Sequence, residues 1–312
     1  MTNNTSKISF VVPAYNSAET ISESIDSIFN GNFESGDEVI IVNDASTDRT
    51  EEKIIALQKK YPPIIYLKNK ENRGCPATRN IGIHSAKNPL IFNLDADDVL
   101  AKKSVATLKE YLIAQNADIS AFGESRFFTK SIKKITHKWV YKGGVITLAD
   151  YLAGPYVPGG NLIYTKKSWK KIGGYWEYGK GLHEFWGFGL KQIAMGSKFV
   201  VLPDSYYFHR YGKPSLFVRE SRDSQEGSRV TTKMIMDFIG LLREDDAKYI
   251  RSEEGKNWFD NISEKPIHVL SGELGITGYK VSLDPSGPFV KMLKKILPEN
   301  LKTHLKRILK KT

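Results

Sequence analysis

The run FNLDADDVL at residues 92–100 puts three carboxylates, Asp95, Asp97 and Asp98, within four positions. Like charges this close repel unless something positive stands among them. A single aspartate after an apolar run commonly caps a turn or the next helix. Three together point instead to a bound cation. Hard oxygen ligands select Mg²⁺ or Mn²⁺ over zinc, and the sequence offers no Cys/His cluster for zinc. Mg²⁺ keeps only one or two protein carboxylates and fills its sphere with water and substrate phosphates. The cluster therefore predicts a phosphate-bearing ligand.

The elements that must position these carboxylates alternate in type. Lys7–Pro13 is a β-branched run that reads as a buried strand. Ile21, Ile25, Ile28 and Phe29 then recur at helical spacing, with Gly31 where a helix would stop. Strands follow at Glu38–Asn43, Ile64–Leu67 and Leu90–Leu94. Helices lie between them at Asp48–Lys60 and Pro76–Lys87, the second with proline in its first turn. Ser104–Gln115 reads as a helix and Asp118–Phe122 as a strand, whereas residues 126–160 show no clear pattern. Strand–helix alternation predicts an α/β fold, Rossmann-like, with a mainly parallel sheet flanked by helices. Ligands of such sheets bind beyond the carboxyl ends of the strands. The polar segments Pro13–Asn16, Asn43–Asp48 and Asp95–Asp98 fall at those ends.

Two other acidic motifs compete for the cluster. An EF-hand loop counted from Asp95 fails, because Val99 and Leu100 stand where a polar residue and glycine are needed. Asp95–Val99 matches the D-x-D-x-[TV] pattern of haloacid-dehalogenase-type phosphotransferases. That motif normally follows a first strand, and here it follows a fourth. The rest of the N-terminal half favours a third reading. ISFVVPAYNSAETISESIDSI, EVIIVNDASTDRT, NRGCPATRNIGIHSA and PLIFNLDADDVL, in that order, make the chain resemble the family 2 glycosyltransferases of GT-A fold. The resemblance covers about residues 7–100. It implies an inverting, metal-dependent transfer from a nucleoside-diphosphate sugar, UDP favoured, to a glycan or lipid-linked acceptor in polysaccharide synthesis.

Carried onto this sequence, the resemblance implies that Pro13, Ala14 and Tyr15 face the nucleotide base. Asp44 would accept the N3–H of uracil, and Arg73, Gly74 and Arg79 would surround a diphosphate at a helix start, where backbone N–H groups and arginines favour phosphate, with a solvated helix residue as the equal alternative for Arg79. Asp95 and Ala96 would meet the donor, and Asp95, Asp97 and His209 would hold the Mn²⁺ or Mg²⁺ ion. Asp44 and Asp48 have a plainer alternative as caps of the helix that follows, and Asp98 either orients the metal site or caps the next helix. The family's catalytic base lies in an acidic pair at the start of a later helix. In GLHEFWGFGLKQIAMGSKF that alignment puts Glu184 on the first acid and Phe185 on the second, or, shifted by one, His183 and Glu184 on the pair. Both registers keep Glu184, which becomes the candidate base; a capping acid at a helix N-terminus is its alternative. Tyr175, Trp176 and Trp186 could stack on acceptor sugars or lie in the core. The departure at Phe185 keeps open a domain that binds nucleotide sugar or glycan without transferring it.

The 312 residues allow one large domain and an appendage. The expected division is a GT-A domain over 1–215, with a nucleotide-binding half at 7–100 and an acceptor half at 101–215. A mainly helical extension over 216–312 follows. A single cysteine, Cys75, excludes an internal disulfide. No signal-peptide pattern and no apolar run of membrane-spanning length is present, so the expected location is cytoplasmic. Net charge is +11, and residues 291–312 hold eight basic residues against one acid. Over 288–312, apolar residues recur at roughly helical spacing around Pro298. Such a segment suits a helix lying on an anionic membrane surface, or one packing its apolar face on the domain. The basic residues are not interleaved with aromatics, which argues against nucleic acid.

Overall fold

The computed structural model describes residues 6–147, 150, 158, 160–178, 184–212 and 281–282. The elements alternate as the sequence predicts: β1 (Ile8–Ala14), α1 (Ile21–Phe29), β2 (Glu38–Asn43), α2 (Thr50–Lys60), β3 (Ile64–Lys68), α3 (Cys75–Ser85) and β4 (Leu90–Asn93). There follow β5 (Val99–Leu100), α4 (Ser104–Ala114), β6 (Ile119–Phe128), β7 (Ile135–Val140), β8 (Gly144–Ile146) and β9 (Ile163–Thr165). The last described elements are α5 (Lys166–Lys171), α6 (Glu184–Ala194), β10 (Phe199–Arg210) and β11 (Val281–Ser282).

One sheet runs β11-β7-β6-β9-β4-β1-β2-β3, and β10 pairs with β5, β6 and β8. β4, β1, β2 and β3 are mutually parallel, as expected of strands joined by crossover helices. Beyond β4 the sheet is mixed. β9 enters antiparallel between β4 and β6, and β10 runs parallel to β6. The sequence reading of a mainly parallel sheet thus describes the nucleotide-binding half, and antiparallel neighbours extend it. Pro13 sits near the end of central β1 because pairing with β4 stops at Val11 and Asn93; near a strand end a missing N–H is tolerated.

The period of two along each strand divides the core. Val11, Ile40, Val42 and Ile91 face one side, against Ile83 of α3, Trp169 of α5, and Phe188 and Leu190 of α6. Phe10, Val12, Val39, Ile41 and Phe92 face the other, against Ile25 and Ile28 of α1, Ile54 and Leu57 of α2, and Leu108 and Leu112 of α4. Helices on both faces explain why β1 and β2 are buried along their whole length. α3 lies close on the sheet, since a Cβ at Gly82 would come within 2.5 Å of Val11 Cγ1. That approach brings the side chains of α3 to the carboxyl ends of β1 and β4. The helical extension and basic tail expected over 216–312 lie outside the described residues, apart from β11, which pairs with β7.

Candidate active site

Asp44 follows β2, where its backbone N–H donates to Ala14 O at 2.8 Å. Its carboxylate is buried and accepts three hydrogen bonds. Arg73 N and Asn69 Nδ2 donate to Oδ1, and Gly74 N donates to Oδ2 at 2.9 Å. Gly74 has φ +84°, a conformation glycine adopts without strain. Asp44 therefore ties the end of β2 to the start of α3 and is not a helix cap. The N–H groups of Arg73 and Gly74, expected at a diphosphate, are already spent on this carboxylate. The Arg73 side chain is half exposed, with Glu177 Oε2 3.9 Å from its Nη2. Asp48 is the aspartate that takes the capping role, accepting from Thr50 N at 2.9 Å. Pro13, Ala14 and Ala96 are buried, and Tyr15 is exposed beside them at the end of β1.

Arg79 stands elsewhere than the sequence places it. Instead of facing a diphosphate at the surface it is 1% exposed, one turn inside α3. Its Nη2 donates to Asp95 Oδ1 and its Nη1 to Glu184 Oε1. The Phe185 ring lies 4.1 Å from the guanidinium carbon, a cation–π contact. Phe185, aligned in one register with the second acid that the resemblance implies, thus covers the guanidinium instead. Glu184, the first residue of α6, is itself buried, and its Oε2 has no hydrogen-bond partner. Burial pushes the Glu184 carboxyl up, and Arg79 works against that shift. The Cys75 thiol neighbours the same carboxyl, and burial pushes this thiol well up, so it stays protonated.

The acidic run answers its own repulsion largely with protein groups. Asp95 has Arg79; burial raises its carboxyl and Arg79 opposes the shift. Asp98 is fully buried, so it cannot be an exposed metal ligand. It accepts from Asn161 Nδ2 at 2.7 Å, from Arg210 N at 2.9 Å, and lies 3.1 Å from His209 Nδ1. Asn161 Oδ1 also accepts from Asp95 N at 3.0 Å, so one buried amide clamps both ends of the loop. Burial works to lower the His209 imidazole, but the Asp98 carboxylate and the charges of Asp97 and Asp95 outweigh it and push it up to about 9. Asp97 is exposed and has no such partner. Desolvation by the protein around it, then the charges of Asp98 and Asp95, push its carboxyl up to about 7.

Among the described residues no group of three or more His, Cys, Asp or Glu side chains is arranged to hold a metal ion. The expected set of Asp95, Asp97 and His209 is therefore not assembled as a three-residue cage: Asp95 is turned to Arg79 and His209 to Asp98. Asp97 still fits a divalent cation, being an exposed carboxylate beside the negative charges of Asp98 and Asp95. Mg²⁺-type sites need only one or two protein carboxylates when substrate phosphates supply the rest. Tyr175, a candidate for sugar stacking, is a core residue instead, stacked on Phe188 at 4.1 Å. Trp176 is half-buried, with Tyr178 stacked on it at 6.0 Å, and Trp186 is half-buried. His183 lies outside the described residues. Sequence reasoning missed Asn161, Asn69 and Arg210, whose side chains act from outside the motif segments. For Asn161 the signal was a polar residue in GGNLIY, between a turn and a buried strand.

The family profile described as "Glycosyl transferase family 2" matches residues 9–173. Abequosyltransferase RfbV of Salmonella typhimurium is 30% identical over 291 residues, 87% of this chain and 84% of that protein. The chain belongs to the family 2 glycosyltransferases. A second member, the poly(ribitol-phosphate) beta-N-acetylglucosaminyltransferase TarP of Staphylococcus aureus, is 28% identical over 47% of the chain and 44% of its own length. Among solved structures, S. aureus TarS 1–349 in complex with UDP-GlcNAc superposes with TM-score 0.56 at 16% identity, covering 90% of this chain and 98% of that one. The mannosyltransferase PcManGT of Pyrobaculum calidifontis, in complex with GDP-Man and Mn²⁺, superposes with TM-score 0.56 at 19% identity, covering 74% of this chain and 64% of that one. These likenesses identify the fold as GT-A. In this family 2 glycosyltransferase the polar segments at the ends of β1, β2 and β4 lie within the residues that the family profile matches.

Proposed function

We propose that this glycosyltransferase moves a sugar from a nucleoside-diphosphate sugar, uridine the favoured base, to a hydroxyl of a glycan or lipid-linked acceptor, with inversion at C1. One observation carries the reading: the Arg79 guanidinium joins Asp95, on the donor side, to Glu184, the candidate base. Donor and acceptor chemistry then meet at one buried cation. Solved relatives of this fold in complex with UDP-GlcNAc and GDP-Man support a sugar nucleotide as donor.

In this reading Pro13, Ala14, Tyr15 and Asp44 line the base site, with the free lone pair of Asp44 Oδ2 left for the base. Asp95 and Ala96 lie under the ribose and sugar, and the Arg73 side chain and the Gly74 turn lie toward the diphosphate. Arg79 acts through its two carboxylates. Glu184 accepts the proton of the acceptor hydroxyl as that oxygen bonds to C1 and the diphosphate leaves, a step worth typically about 10²–10⁴-fold. Mn²⁺ or Mg²⁺ held by Asp97 would supply Lewis-acid charge at the departing diphosphate. The GT-A domain spans 1–215 and the extension 216–312, whose basic segment 288–312 attaches the enzyme to anionic lipid at the inner membrane face. No helix among the described residues is long and apolar enough to cross a membrane.

The test is release of nucleoside diphosphate across a donor panel, with Mn²⁺ and then with EDTA. Metal-dependent release from one donor supports the reading. Equal release in EDTA removes the metal from it. Metal-dependent donor binding without release from any donor, even with acceptor glycans supplied, would favour the non-catalytic alternative.

A further inference from the structure

Asp97 is the one carboxylate of the acidic run with an exposed side chain, and its backbone is held from an unexpected direction. Arg210, the last residue of β10, donates from Nε to Asp97 O at 2.9 Å. Its Nη1 donates to Thr129 O at 3.2 Å, just past the end of β6, and its Nη2 donates to Glu23 Oε2 on α1. Its own backbone N–H reaches Asp98 Oδ1 at 2.9 Å. The guanidinium carbon lies 4.4 Å from the centre of the Phe128 ring. All three guanidinium nitrogens are thus engaged, each with a different segment. The planar fork suits this task, and a single ammonium cannot reproduce it.

We propose that Arg210 is a positioning residue for Asp97, fixing the peptide that carries this carboxylate so that it meets a divalent cation without rearranging. The inference rests on the reading of Asp97 as the metal-binding carboxylate. The rest of the loop is already pinned: Asn161 holds Asp95 N and the Asp98 carboxylate, and Asp98 N donates to Asp95 O at 3.1 Å. The Asp97 carbonyl is the remaining attachment, and Arg210 supplies it. Groups in this outer position typically change metal affinity or activity by about 10–100-fold when replaced.

The experiment titrates Mn²⁺ into the full chain with UDP present, by electron paramagnetic resonance of free Mn²⁺, for wild type, Arg210→Lys and Glu23→Gln. Melting temperature and the Mn²⁺ dependence of turnover are recorded alongside. Arg210→Lys keeps the charge and loses the fork, so it separates position from charge. The expected result is a Mn²⁺ dissociation constant raised about 10-fold or more in Arg210→Lys, with kcat at saturating Mn²⁺ close to wild type. Glu23→Gln, which removes only the outer partner, shifts the constant in the same direction by less. Unchanged Mn²⁺ affinity in Arg210→Lys overturns the inference. So does a lowered kcat with unchanged affinity, which is what a merely structural role predicts. Absence of Mn²⁺ binding by the wild type overturns the metal reading and this inference together.

Discussion

Replacing Arg79 by methionine tests the arrangement at the centre of the site. The guanidinium is 1% exposed and is the cation between two carboxylates, Asp95 and Glu184. Methionine fills similar volume without charge. Breaking a buried pair by removing one partner typically costs about 3–5 kcal/mol, because the other charge is left uncompensated. At roughly 2–4 °C per kcal/mol for chains of a couple of hundred residues, melting should fall by roughly 6–20 °C. Burial already pushes Glu184 up against the pull of Arg79. Without that pull its pKa rises further, and a base must be deprotonated to act. The acid limb of the kcat/KM profile should therefore move to higher pH. The check is thermal unfolding of Arg79→Met, Glu184→Gln and the double variant, with pH–rate profiles of wild type and Arg79→Met. If the two residues are partners, the double variant loses less stability than the sum of the singles, by about 0.5–3 kcal/mol. Additive losses, or an unmoved acid limb, would refute the shared-cation argument.

Three further outcomes follow from the same geometry. Asp97→Ala should abolish metal-dependent donor binding, measured by calorimetry with Mn²⁺ present; unchanged affinity would remove Asp97 from the metal site. Gly82→Ala should lower stability by about 1 kcal/mol in denaturant unfolding, because overpacking against buried Val11 costs about 1–3 kcal/mol and exceeds the helix-propensity gain of about 1 kcal/mol. A chain ending at residue 287 should lose flotation with anionic liposomes that the full chain shows, since each basic residue near such a surface contributes about 1 kcal/mol; equal flotation of the two would rule out the tail as the lipid contact.

Much of the nucleotide-binding half was legible because its signals are local. Short uninterrupted apolar runs such as FVV and VIIV, helical spacing in ISESIDSIF, and polar residues at strand ends mark β1 to β4 with little reference to distant residues. The chemistry of Asp98 was not legible in the same way. An aspartate is an ambiguous letter, and only the fold reveals that Asn161, His209 and Arg210, 63 to 112 positions away, enclose it. Arg79 misled for a related reason. An arginine on the first turns of a helix reads as a solvated cation or a phosphate ligand, and its burial depends on α6 being laid across α3. Phe185 read as a loss at an acidic position, and in the structure it covers that arginine.

Glu184→Gln tests the account's central claim most directly. Glutamine keeps the shape and can still accept from Arg79, but it cannot take a proton. Turnover and donor affinity should be measured together on wild type and variant. The account predicts kcat lower by at least about 100-fold with the donor dissociation constant unchanged. A near-normal kcat would contradict it and take Glu184 out of the reaction.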